Sequence, residues 1–140
     1  MSFDLKADVF EPVVERIIAR RDSLVNVKPF PRTGIEGWFK VEIIAALEDM
    51  VKALQNKGPD LLLKDGTRIE LKAATDFHKG FFAGPIRKYN VPSLFLGDGP
   101  DPTKLTSCAD PAIEIVGYKV FSDGRNDWLL GLVRPKISGT

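Results

Sequence analysis

The sequence predicts an α/β fold of the α+β kind, one mixed β-sheet flanked by helices. Three observations predict it. Apolar residues recur with helical period over residues 5–22 and again over 34–55. Shorter apolar runs of strand character follow at 60–73, 92–96, 113–121 and 128–134, punctuated by Gly, Pro, Asn and Asp. The composition, 44 % hydrophobic and 28 % charged over 140 residues, is that of one globular domain able to bury a core without disulfides. Residues 1–140 are therefore expected to form a single domain.

From Leu5 to Asp22, two stripes carry the apolar face: Val9, Val13 and Ile17 with Phe10, Val14 and Ile18. Arg16, Arg20 and Arg21 lie mostly off it. Asn26 to Arg32, with Pro29 and Pro31, reads as an extended linker. A second helix is expected from Gly34 to Gln55. Thr33 and Glu36 fit a capping box at its start, and Ile35, Phe39, Ile43, Ala46, Leu47, Met50 and Leu54 line one side. Its composition is apolar almost all round, which predicts extensive burial.

A β-hairpin follows. On its strands Leu61, Leu63, Ile69, Leu71 and Ala73 make one wholly apolar face, while Asp60, Arg68, Glu70 and Lys72 share the other with Leu62. The two faces match across the strands only if paired positions sum to an even number. A two-residue Asp65-Gly66 turn gives an odd sum and puts Asp60 and Glu70 on opposite sides. A three-residue loop Lys64-Asp65-Gly66, with Gly66 left-handed, pairs Leu63 with Thr67 and sets Asp60 opposite Glu70. Burial of the apolar face enforces that register, because a one-residue slip exposes every large side chain on it.

Beyond the hairpin, Asp76 to Asn90 reads as loop and short helix, broken by Gly80, Gly84 and Pro85. Pro92 to Leu96 is expected as a buried strand, and Gly97 to Pro111 as a long loop. Ile113 to Phe121 and Trp128 to Arg134 form a final hairpin across Ser122 to Asp127.

The carboxylate face of the first hairpin carries the chemistry. Two acidic oxygen ligands and an adjacent ammonium are what a metal-dependent phosphodiesterase needs, to hold a hard cation and to place positive charge beside a reacting phosphate. The run Pro59-Asp60 followed by Glu70-Leu71-Lys72 resembles the PD-(D/E)xK signature of the restriction-endonuclease-like nucleases. The resemblance spans roughly Gly34 to Gly97. A second Pro-Asp at Pro100-Asp101 is followed by Glu114-Ile115-Val116, which lacks the lysine.

The resemblance implies an αβββαβ core, here with an extra N-terminal helix and C-terminal hairpin. It implies Mg²⁺, with Mn²⁺ as a substitute, held by Asp60, Glu70 and the Leu71 carbonyl. Lys72 would position or deprotonate a water, or stabilise the transition state. It implies phosphodiester hydrolysis, expected on DNA by an endonuclease, and a glutamate from the preceding helix. Glu42 has largely apolar neighbours, so a buried carboxylate there needs a partner or a ligand. Glu36 is accounted for by the capping box or by pairing with Lys40. The choice between them, or neither, stays open.

For substrate contact the sequence offers Lys79, Arg87 and Lys88 among the aromatics Phe77, Phe81, Phe82 and Tyr89, and Arg68 on the carboxylate face. One hydrolytic site per chain implies a homodimer for cutting both strands. Two rival readings are a catalytically inactive nucleic-acid-binding or assembly module of the same fold, and an interaction domain whose hairpin face is merely solvated. The net charge of +1 counts against a strong non-specific binder. Cys108 is the only cysteine and His78 the only histidine, which argues against a disulfide or zinc framework and fits a reducing cytoplasm. No Walker or dinucleotide motif occurs. No apolar run near 18 residues and no charged-then-apolar leader occurs, so no membrane partner is expected.

Overall fold

A computed structural model describes residues 3–27, 32–54, 60–74, 90–98 and 113–136. The N-terminal stripe winds as predicted, with one irregularity. Leu5–Phe10 is π-helical, capped by the Asp4 carboxylate on the Lys6 N–H, and runs directly into α1 (Glu11–Ala19). The Glu11 N–H reaches the Lys6 carbonyl five residues back, and Pro12, which has no N–H, marks the change to α geometry. Val9, Phe10, Val13 and Ile17 are buried. A short α2 (Asp22–Val27) occupies the start of the expected linker.

Helix α3 spans Arg32–Ala46. Thr33 thus lies inside its first turn and not at the cap. Ile35, Phe39, Ile43 and Leu47 are buried along one side, but Val41 is 63 % exposed, so the helix is not covered all round. It also ends sooner than its periodicity predicts. After a turn closed by the Met50 and Val51 N–H groups on the Leu47 carbonyl, the chain enters strand β1 (Val51–Leu54). Met50, Val51 and Leu54 satisfy a helical stripe and a strand equally well; a partner strand decides for the latter. Leu54, expected on the buried helical face, is half-exposed.

The sheet has six strands in the order β1-β2-β3-β4-β6-β5. β2 (Leu61–Leu63) pairs antiparallel with both β1 and β3 (Arg68–Ala74). β4 (Ser93–Asp98) returns parallel to β3. β5 (Ile113–Ser122) and β6 (Asp127–Pro135) form the expected terminal hairpin, with β6 antiparallel to β4. Its turn is closed by Asp123, whose carboxylate accepts the N–H groups of Arg125 and Asn126 and the Trp128 indole N–H.

The core lies between the helices and one sheet face. Leu61, Leu63, Ile69, Leu71, Ala73, Leu94, Leu96, Leu130 and Leu132 meet Phe39, Ile43 and Ile17 there. Each large side chain so buried contributes about 1.5–3 kcal/mol, which is what fixes the strand register. The other face carries Asp60, Glu70 and Lys72 and, beside them, Ser93, Phe95 and Gly131. The Phe95 ring lies so close over Gly131 that a Cβ there would fall 2.3 Å from it, so any larger residue would force the ring to shift. Among the described residues no helix is long and apolar enough to cross a membrane.

Candidate functional site

The hairpin folds in the register that its two faces require. The Leu63 N–H donates to the Thr67 carbonyl at 2.8 Å, Gly66 has φ +96°, and its N–H closes the loop on the Leu63 carbonyl at 3.0 Å. The Asp65 carboxylate accepts the Thr67 N–H. Leu61 pairs with Ile69 and Leu62 with Arg68, so the next position outward sets Asp60 opposite Glu70. Leu63 and Thr67 form a hydrogen-bonded pair. Counting outward, the Asp60–Glu70 position falls in a non-hydrogen-bonded slot, where facing side chains come closest. The same alternation turns both the N–H and the carbonyl of Leu71 towards β2.

The two carboxylates meet at this slot and share a hydrogen bond. Asp60 Oδ2 also accepts the Leu71 N–H at 3.1 Å. Its other oxygen, Oδ1, lies 3.2 Å from the Lys40 ammonium on α3. Glu70 is buried, at 7 % exposure. Burial, then the hydrogen bond to Asp60, then the charge of Asp60 push the Glu70 carboxyl up to about 7, against the Leu71 N–H and the positive charge of Lys72. Burial alone would raise Asp60 as well. The bond from Glu70, the Leu71 N–H and Lys40 together outweigh it and hold Asp60 below the usual carboxylate range. As pH falls, Glu70 and not Asp60 therefore takes up the first proton of the pair.

Ser93 completes the neighbourhood. It is the in-register partner of Glu70 on β4, fully buried, and its hydroxyl has no hydrogen-bond partner among the described residues. A buried hydroxyl left unpaired costs free energy, and it is the kind of group that a bound ligand or water satisfies. Asp60, Glu70, the Leu71 carbonyl and this hydroxyl make an all-oxygen donor set. Oxygen donors of this type suit a hard divalent cation. Among the described residues no group of three or more acidic, histidine or cysteine side chains forms. Backbone and water oxygens would have to supply the remaining ligands.

The other candidates divide. Lys72 is half-buried, on the same face as Glu70 and close enough for its charge to act on it. Arg68 is exposed on that face, across from Leu62. Glu36 sits half-buried one turn before Lys40 on the same side of α3. Glu42 is not brought to the pair. Two residues beyond Lys40, it projects about 160° away around the helix. There it is 3 % exposed and bound by Arg16 at 3.1 Å and Arg20 at 3.3 Å. The expectation that a buried Glu42 needs a partner holds, but the partners are Arg16 of α1 and Arg20 at its C-cap. Lys79, Arg87 and Lys88, with His78 and Cys108, lie outside the described residues.

Lys40 is the site residue that sequence reasoning missed. It reads locally as the salt-bridge partner of Glu36. The available signal was its place at the margin of the apolar stripe, on the side of α3 that leads towards the hairpin.

Comparison of the chain with protein-family models, with curated proteins and with solved structures finds no match in any of the three.

Proposed function

We propose that this protein is a Mg²⁺-dependent nuclease of the restriction-endonuclease-like kind, hydrolysing phosphodiester bonds in DNA. The observation that carries the reading is the contact between Asp60 and Glu70 on one sheet face, with Lys72 beside Glu70. A solvated hairpin face has no reason to bury two touching carboxylates. Such a pair is costly unless a cation rewards it. The element order supports the reading: α3, then the antiparallel run β1–β2–β3, then β4 parallel to β3. That is the αβββαβ order apart from the connection between β3 and β4, where residues 75–89 lie outside the described part.

In this reading Asp60, Glu70 and the Leu71 carbonyl hold the ion. A bound magnesium ion supplies Lewis acidity, lowering the pKa of a water and offsetting charge on the scissile phosphate. Glu70 must give up its proton when the site is loaded, so binding releases a proton near neutral pH. Lys72 presents its ammonium where negative charge develops on the phosphoryl oxygens. Arg68 offers a phosphate contact on the same face. A homodimer supplies the second site that a double-strand cut requires.

One observation favours a second reading, a nucleic-acid-binding or assembly module of the same fold without catalysis. The Lys40 ammonium already neutralises Asp60. A cleavage assay decides between them. Circular and linear DNA are incubated with Mg²⁺ or Mn²⁺, with chelator, and with Asp60→Asn. The nuclease reading expects metal-dependent cutting abolished by chelator and by the substitution. Binding without cutting in either metal would sink it.

A further inference from the structure

We propose that Lys40 is an internal counter-cation of this site: its ammonium competes with a divalent ion for Asp60 and so sets the metal affinity. The inference rests on the metal-site reading above and adds a residue that the motif does not contain. Asp60 presents two oxygens. The Leu71 N–H engages Oδ2, and Lys40 stands 3.2 Å from Oδ1. The ammonium thus occupies the side of the carboxylate that a cation would take.

The placement is built into the fold. Ile35, Phe39 and Ile43 are fully buried and fix the rotation of α3, so Lys40, next to Phe39, is held on the hairpin side. The pair is partly withdrawn from water, with the two side chains 33 % and 19 % exposed. An ammonium and a divalent ion cannot share one carboxylate oxygen without strong repulsion. Loading the site therefore displaces Lys40. Glu36, one turn earlier on the same side, offers the displaced ammonium an alternative partner at i,i−4 spacing. Until then Lys40 relieves the repulsion between Asp60 and Glu70, which lets a metal-binding slot fold before metal arrives.

The test is calorimetric titration of MnCl₂ into the full chain at fixed ionic strength, with thermal melts to verify folding. It compares wild type with Lys40→Met, Lys40→Gln, Lys40→Arg, Lys64→Gln and Asp60→Asn. Lys40→Met and Lys40→Gln are expected to bind Mn²⁺ tighter by up to about fivefold, the most that removing one partly exposed ion pair gives. Lys40→Arg keeps the charge and should stay near wild type. Lys64, exposed in the hairpin loop at the far end of β2, controls for general charge and should change little. Wild-type affinity in both neutral Lys40 variants, with binding lost in Asp60→Asn, would overturn the role of Lys40 and leave the metal site standing. Equal tightening by Lys64→Gln or by Lys40→Arg would overturn it too. Absence of Mn²⁺ binding in wild type and in every Lys40 variant would overturn both this inference and the reading beneath it.

Discussion

Among the described residues, the carboxylate of Glu42 and the pair Asp60–Glu70 are built on opposite electrostatic plans. Glu42, between α3 and α1, is held by two guanidinium groups and faces no other acid in the contacts that define it. Asp60 and Glu70, on the sheet face away from the helices, touch one another, and their proximity and burial push Glu70 up to about 7. The first arrangement offsets the cost of burying a charge within the fold itself. The second leaves that cost partly unmet, relieved among the described residues by the Leu71 N–H, by Lys40 on one Asp60 oxygen and by the Lys72 charge near Glu70. Folding gains nothing from the second plan that an apolar pair would not give. The contrast sets a carboxylate that the fold itself pairs against a pair that the proposed metal site would complete.

The sharpest way to break the comparison is at Lys72. If the sheet face is catalytic, Lys72→Ala should lower the cleavage rate on the order of a hundredfold or more, because one electrostatic stabiliser of the transition state is removed. Melting temperature and DNA affinity should barely change, since affinity is spread over many phosphate contacts. A variant that still cuts at the wild-type rate would defeat the mechanism.

Next come the two plans themselves. Glu42→Gln should destabilise the fold by about 1–3 kcal/mol; the arginines are half-exposed, which brings the effect below that of a fully buried pair. It should leave Mn²⁺ affinity alone. Asp60→Asn should instead remove most of the melting-temperature increment that Mn²⁺ gives wild type. Urea denaturation with and without Mn²⁺ measures both. Equal metal responses in wild type and Asp60→Asn would exclude Asp60 as a ligand.

The hairpin was legible from sequence because two independent demands coincide there. Packing of Leu61, Leu63, Ile69 and Leu71 and apposition of Asp60 with Glu70 require the same register, and Gly66 permits the loop that produces it. The final hairpin was legible for a similar reason, strand-like runs on either side of a polar turn. Strand β1 was not. Nothing local in Val51–Leu54 distinguishes a helical stripe from an edge strand, and the deciding contact is with β2. The partners of Glu42 and of Asp60 were hidden in the same way. Arg16, Arg20 and Lys40 come from other elements, and helix packing brings them in. Sequence periodicity reports which face is buried, but not which charges meet across it.

The acid–base behaviour sharpens the comparison further. An ordinary glutamate titrates near 4.5, whereas Glu70 in the fold titrates at about 7. Between those values the folded chain keeps a proton that the unfolded chain has lost, so stability falls as pH rises through that window. Asp60 has the opposite sign. Its stabilising contribution is present above the ordinary aspartate value and is lost as pH falls through its lowered one. Stability measured across pH without metal should therefore show a decline between about 4.5 and 7 that Glu70→Gln removes. Glu42→Gln should leave this decline in place. A profile unchanged by Glu70→Gln would mean that Glu70 does not hold the proton.

The smallest effect tests the edge of the site. Ser93 is fully buried beside Glu70 with its hydroxyl unpaired among the described residues. If that hydroxyl is only a packing imperfection, Ser93→Ala relieves it and changes nothing else. If it belongs to the ligand-facing set, the same substitution acts in two directions. Removing an unsatisfied buried hydroxyl should stabilise the metal-free fold by about 1 kcal/mol. Losing an oxygen beside Glu70 should at the same time weaken Mn²⁺ binding, so the metal-dependent rise in melting temperature shrinks. Opposite changes in stability and affinity are the signature of a group that the fold tolerates for the sake of what it binds. Thermal melts of wild type and Ser93→Ala over a Mn²⁺ series read both quantities at once. A variant less stable than wild type without metal would show that the hydroxyl already serves the fold, and would move Ser93 from the sheet-face plan to the plan of Glu42.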